Sequence, residues 1–169
     1  GTDTLLTNAS GAQLGVFGGV IAGDGVQTID NAGLLLATID LGGGRDAYRL
    51  HASGWQLGAV DGGAGEDSLA LSAGPDGRWI EEGDYVNFET LTLNGEPGDA
   101  GLFVLDAAAS ASSRATLDLG AEGTATLAAG ELKLAYTNSS LRAGHVTTAS
   151  GSELSGNGTV FGDLSLIHI

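Results

Sequence analysis

Gly42-Gly43-Gly44-Arg45-Asp46-Ala47-Tyr48-Arg49-Leu50 and Gly63-Ala64-Gly65-Glu66-Asp67-Ser68-Leu69-Ala70-Leu71 follow one pattern, Gly-x-Gly-x-Asp-x-apolar-x-Leu. Their aspartates lie 67 − 46 = 21 residues apart. A period near 21 is one rung of a parallel β-helix, in which each strand stacks on its counterpart in the next turn. Inside each copy the last two apolar residues are two apart, so both face one side of a strand while the residue between them faces out. The glycines before the aspartate supply the tight corner that leads into the strand. The opening Gly1-Thr2-Asp3-Thr4-Leu5 has the look of the tail of one more copy.

The same spacing recurs outward from this stretch, in Ile39 and Leu41, Trp55 and Leu57, Leu91 and Leu93, Leu117 and Leu119, and Leu132 and Leu134. Tyr48 and Trp55 share phase with these leucines and are expected in the core, whereas Ser68 is expected to face out. Phe88 is out of phase with Leu91 and Leu93, which predicts a bend between them. Helical periodicity is scarce. The expected fold is all-β, a right-handed parallel β-helix of about seven or eight rungs at ~20–25 residues each. A β-sandwich is the alternative, because Asp24-Gly25, Asp61-Gly62, Asp76-Gly77 and Asn94-Gly95 are hairpin-type dipeptides. Residues 1–163 form one unit on this reading. Residues 164–169 (Leu-Ser-Leu-Ile-His-Ile) resemble a translated sequencing or cloning scar and carry no functional argument here.

Composition excludes several classes. The 169 residues hold 6 basic and 21 acidic side chains, so 6 − 21 gives a net charge of −15, and the few cations are scattered, which leaves no basic footprint for nucleic acid. Thirty glycines without a strict every-third spacing exclude collagen. No apolar run approaches the roughly 20 residues of a membrane helix. The absence of cysteine removes disulfide scaffolds, thiolate metal sites and cysteine nucleophiles. Aromatics supply 5% of the chain, so the core must be built from Leu, Ile, Val and Ala.

Two stretches carry a family resemblance. Val60-Asp61-Gly62-Gly63-Ala64-Gly65-Glu66-Asp67-Ser68-Leu69-Ala70-Leu71, followed by Val86-Asn87-Phe88-Glu89-Thr90-Leu91-Thr92-Leu93, is the first. The second is Gly151-Ser152-Glu153-Leu154-Ser155-Gly156-Asn157-Gly158-Thr159-Val160-Phe161-Gly162-Asp163-Leu164. Together they resemble the passenger region of bacterial autotransporters, the surface β-helices of type V secretion, over roughly residues 38–95 and 115–164. The resemblance implies a secretion signal upstream, an outer-membrane β-barrel downstream, and a location that is secreted or tethered to the outer membrane at the cell surface. Residues 106–115 lack strand alternation and read as a loop or short helix projecting from the stack.

Candidate chemistry is sparse. Residues 62–70 satisfy a calcium-binding nonapeptide, Gly-Gly-x-Gly-x-Asp-x-apolar-x, but no second copy follows in tandem. A glycine corner whose Asp67 bonds its own turn amides is the expected reading, with millimolar calcium changing the thermal midpoint only slightly. Asp46 and Asp67 would still stand near each other on successive rungs. Glu81, Glu82 and Asp84 form the densest acidic run and read as a solvated face. His51, His145 and His168 show no metal-ligand spacing. Trp55, Trp79, Tyr48 and Tyr85 could form a sugar-stacking strip if the rungs align them, with Trp55 and Tyr48 the two expected to be buried. Asn8 and Asn138 match glycosylation acceptor spacing, which carries little weight in a bacterial chain.

The expectation is therefore an extracellular stalk or adhesin-type passenger segment. It has no chemistry of its own, no catalytic, cofactor-binding or metal-ligating residue, and no cofactor. Its expected partner is a host surface or a neighbouring cell-surface protein, with no nucleic acid and no membrane contact within this segment. The alternatives are a calcium-binding toxin-type β-roll and a polysaccharide-degrading β-helix enzyme.

Overall fold

In the computed structural model the chain is described over residues 1–15, 19–81, 83–95, 101–105 and 115–166. Every regular element among these residues is a strand and every strand pairing is parallel, stacked as a β-solenoid of about six turns, consistent with a right-handed parallel β-helix. The longest sheet stacks Thr4–Asn8, Gln27–Asn31, Ala47–Leu50, Ser68–Ala73, Thr90–Gly95 and Thr124–Leu127, then the ends of Ser139–Thr148 and Thr159–Leu166. Register aligns Leu6, Ile29, Tyr48, Leu69, Leu91, Ala125, Val146 and Leu164 in one column. Successive steps along it are 23, 19, 21, 22, 34, 21 and 18 residues, from the differences of those numbers. The 34-residue step between Leu91 and Ala125 consumes chain without adding a rung to this sheet.

A second face carries Val20–Ile21, Ile39–Asp40, Val60–Asp61 and Tyr85–Val86. A third is split in two. Gln13–Gly15, Leu34–Leu36 and Trp55–Leu57 form one short stack, and Arg78–Ile80, Leu102–Leu105, Glu131–Leu134 and Glu153–Gly156 form another. No strand pairing joins Trp55–Leu57 to Arg78–Ile80.

Three walls of alternating side chains enclose one apolar core, including Ile39, Leu50, Leu69, Leu71, Leu91, Leu93 and Phe103, all essentially inaccessible. Each such side chain stabilises the stack by about 1.5–3 kcal/mol relative to exposure. The phase read at Ser68–Ala73 holds, with Leu69, Leu71 and Ala73 buried and the residues between them partly exposed. Phe88 is buried at the bend between Tyr85–Val86 and Thr90–Gly95, where Asn87 adopts φ +56°. Leu164–Leu166 continue the strand Thr159–Leu166, and residues 167–169 lie outside the described residues. Residues 106–114 also lie outside them, and Ala115 opens the strand Ala115–Asp118.

One edge of the core is polar. Asn8 and Asn31 stack on consecutive rungs in the column continued by Leu50, Leu71, Leu93 and Leu127. The Asn8 side-chain amide donates to Asn31 Oδ1 (2.9 Å) and to Leu34 O (3.1 Å). Asn31 Oδ1 also accepts from Gly33 N (3.2 Å), and its Nδ2 donates to Trp55 O (3.1 Å) and Tyr48 Oη (3.3 Å). A side-chain amide has both donors and acceptors, so a stack of them satisfies itself. Asn8 is thereby buried and spent structurally, not free as a glycosylation acceptor.

Candidate functional site

The Gly-x-Gly-x-Asp pattern places a second polar column at the corner that precedes the longest sheet. Register stacks Gln27, Asp46, Asp67 and Glu89, each the residue before the paired positions Thr28, Ala47, Ser68 and Thr90. Gln27 N donates to Asp46 Oδ1, Asp46 N to Asp67 Oδ1, and Asp67 N to Glu89 Oε2, each at 2.7 Å. Asp67 thus serves the amide of the preceding rung, where its own turn amides were expected. The reason is the glycine corner itself: Gly42 and Gly44 pack backbone on backbone against Gly63 and Gly65, and the carboxylates turn along the stack axis.

Unlike the asparagine column, this one is not self-satisfying. Asp46 and Asp67 are each 1% exposed and Gln27 3%, and Asp46 Oδ2, Asp67 Oδ2 and Gln27 Oε1 have no hydrogen-bond partner. A carboxylate has acceptors only, so a stack of them lacks donors. Burial pushes the Asp67 carboxyl above its usual range, and the charges of Asp46, Glu89 and Asp61 push the same way, against the Asp46 N–H. The nearest cation in sequence, Arg45, pairs with Glu66 outside the corner, where both side chains are largely exposed.

The second feature is a groove of about 730 Å³ at the split in the third face. Its walls carry Trp55, Trp79, Arg78, Asp76, Glu81 and Asp84. Trp55 is 67% exposed and Trp79 55%. The expected burial of Trp55 is overturned, because the phase reverses after the turn at residues 51–54 and Gln56 points inward instead. The Gln56 amide is well partnered there, accepting from Tyr48 Oη (2.8 Å) and donating to Ala37 O (2.7 Å) and Gly58 O (3.0 Å). Leu57, expected inward with Trp55, is likewise exposed. Tyr48 is buried as expected, its hydroxyl pushed up to about 12 by desolvation. Tyr85 is buried too, its ring centroid 6.3 Å from that of Tyr48. The aromatic strip is therefore two exposed indoles, with both tyrosines in the core.

Arg78 spans the split. Its Nε donates to Ser72 O (2.7 Å), and its Nη2 donates to His51 O (2.8 Å) and Gly54 O (3.3 Å). This one side chain supplies donors across a step where Trp55–Leu57 and Arg78–Ile80 are not paired with each other. Desolvation lowers the Arg78 pKa, as expected for a guanidinium held against backbone. Asp84 Oδ2 accepts from Glu81 N (2.9 Å), so the acidic run is partly a closed turn, and burial raises the Asp84 pKa. Glu82 and His168 lie outside the described residues. His51 contacts Asp30, and His145 sits in the longest sheet between Thr124 and Asp163, so the structure does not bring the two histidines together. Among the described residues no group of three or more His, Cys, Asp or Glu converges to hold a metal.

No family model, curated protein or solved structure matches this chain.

Proposed function

We propose that the chain is an adhesin-type stalk segment of a surface-exposed bacterial protein of the autotransporter passenger kind, without chemistry of its own. The observation that carries this reading is the unbroken parallel ladder of the longest sheet, which runs through every turn and makes a rod with repeating outer faces. Such a rod displays a surface and needs no active site. Within this reading the Trp55 and Trp79 groove is the contact surface, and the partner is a host or neighbouring cell-surface glycan. Indoles offer flat apolar faces to sugar rings, and the carboxylates of Asp76, Glu81 and Asp84 accept hydroxyl donors. The acidic excess disfavours polyanionic sugars.

The enzyme alternative wants a free cation beside the groove carboxylates. Arg78 is the candidate, and its guanidinium is already committed to three carbonyls. The stalk reading is preferred on that ground.

Antibodies raised against the chain are expected to label intact source cells, and external protease is expected to remove the signal. Recovery of the protein only from the cytosol would overturn the proposal. Beads coated with the chain should bind glycan-bearing surfaces, and Trp55→Ala with Trp79→Ala should cut retention at least tenfold. Unchanged retention by a folded double variant would move the contact surface elsewhere.

A further inference from the structure

We propose that the corner between Asp46 and Asp67 is a calcium site, completed by the side-chain oxygen of Gln27. Three orphaned oxygens on consecutive rungs carry the inference: Asp46 Oδ2, Asp67 Oδ2 and Gln27 Oε1, all at side chains more than nine-tenths buried. Buried polar atoms are almost always partnered, and buried charges are paired or bound to a cation. The charged groups acting on this corner are Glu89, Asp61 and the two aspartates themselves, so among the described residues no protein cation fills the role. Gln27 is the independent pointer. It is neutral, its Nε2 donates to Gly23 O (3.2 Å), and its oxygen is still left without a donor.

Ion size follows from the stack. Asp46 and Asp67 hold the same pose, since each accepts the amide of the preceding rung through Oδ1 at 2.7 Å. Their free Oδ2 atoms therefore repeat at the rung spacing of about 4.8 Å. An ion midway between them sits about 2.4 Å from each, inside the calcium–oxygen range of about 2.3–2.6 Å and too far for magnesium at about 2.0–2.1 Å. Two carboxylates also match the double positive charge. Calcium takes six to eight oxygens, and backbone carbonyls and water complete the shell. So few charged ligands set the dissociation constant at about 10⁻⁴–10⁻³ M, the range of weak extracellular modules. The site differs from the bare glycine corner expected of residues 62–70 because the carboxylates bond across rungs and align their second oxygens. It holds whether or not the chain is a surface stalk.

The test uses the whole chain freed of metal by EDTA and gel filtration. Titration calorimetry with CaCl2 should find one site per chain, and 10 mM CaCl2 should raise Tm by roughly 3–10 °C over NaCl of equal ionic strength. MgCl2 should do markedly less. Asp67→Asn gives the corner donors of its own, so it should raise Tm in EDTA and abolish the calcium response. Gln27→Leu keeps both carboxylates and should weaken calcium binding several-fold, giving a second variant if Asp67→Asn fails to fold. Equal Tm in CaCl2 and matched NaCl with no calorimetric binding would overturn the proposal. If acidification from pH 7 to 5 then raised Tm, a shared proton would be the occupant. An undiminished calcium response in a folded Asp67→Asn variant would overturn it too.

Discussion

Leu71→Asp is expected to cost about 4–5 kcal/mol or more and to leave little folded protein at 25 °C. Leu71 is completely buried, between Leu50 on one rung and Leu93 on the next. The substitution removes apolar contacts on both sides and places a carboxylate where no donor reaches it. Whole-domain stability is only about 5–15 kcal/mol, so a single change of this size consumes a large part of it. Ala70→Asp, one residue away, is the control. Position 70 is half-exposed and lies opposite Arg49, so the new carboxylate gains a cross-strand partner and the change should stay within about 0.5 kcal/mol. Urea midpoints measured side by side decide the matter. Similar losses at 70 and 71 would mean that the strand phase is wrong.

The second large effect belongs to a glycine. At Gly65 φ is +150°, and a Cβ there would stand 1.7 Å from Gly44 O. The two residues are paired neighbours on successive rungs, so Gly65→Ala must push the corner strands Gly43–Gly44 and Ala64–Gly65 apart. A loss of about 3 kcal/mol or more is expected, with the ladder from Asp46 to Asp67 loosened as well. Gly11 separates conformation from contact. Its φ is +77° and nothing lies within 4 Å of an added Cβ, so Gly11→Ala should cost only the left-handed backbone term of about 1–2 kcal/mol. Thermal melts of the two variants give the comparison, and near-equal shifts would show that close stacking at Gly65 is not what demands glycine there.

The architecture was legible because its signal is periodic. The 21-residue self-match sets Tyr48 beside Leu69 on successive rungs, and the structure stacks them so. Asp46 and Asp67 were also placed on successive rungs by the same match. Their bonding partners were not, because a local motif reports its own turn and cannot show the amide one rung away. Trp55 was misplaced for a related reason. Spacing rules count apolar residues as inward, and here the inward residue is Gln56, a polar side chain made tolerable by Tyr48, Ala37 and Gly58. Asn31 escaped notice likewise, since nothing in its neighbourhood of sequence announces the partners Asn8 and Trp55. The 34-residue step from Leu91 to Ala125 was not legible, because a constant period gives no sign of where the chain leaves the stack.

The split between Trp55–Leu57 and Arg78–Ile80 has a mechanical meaning. Most neighbouring turns are paired on all three faces, and the next step, from Tyr85–Val86 onward, lacks a pairing on the second face but keeps long ladders on the other two. At the split the longest sheet and the face of Val60–Asp61 with Tyr85–Val86 still hold, while on the third face the Arg78 side chain makes the bridge. A force pulling along the axis loads its joints in series, and the joint with the fewest backbone rungs yields first. The Arg78 guanidinium thus acts as a leash across a seam, and the seam sets the tension at which the rod begins to come apart.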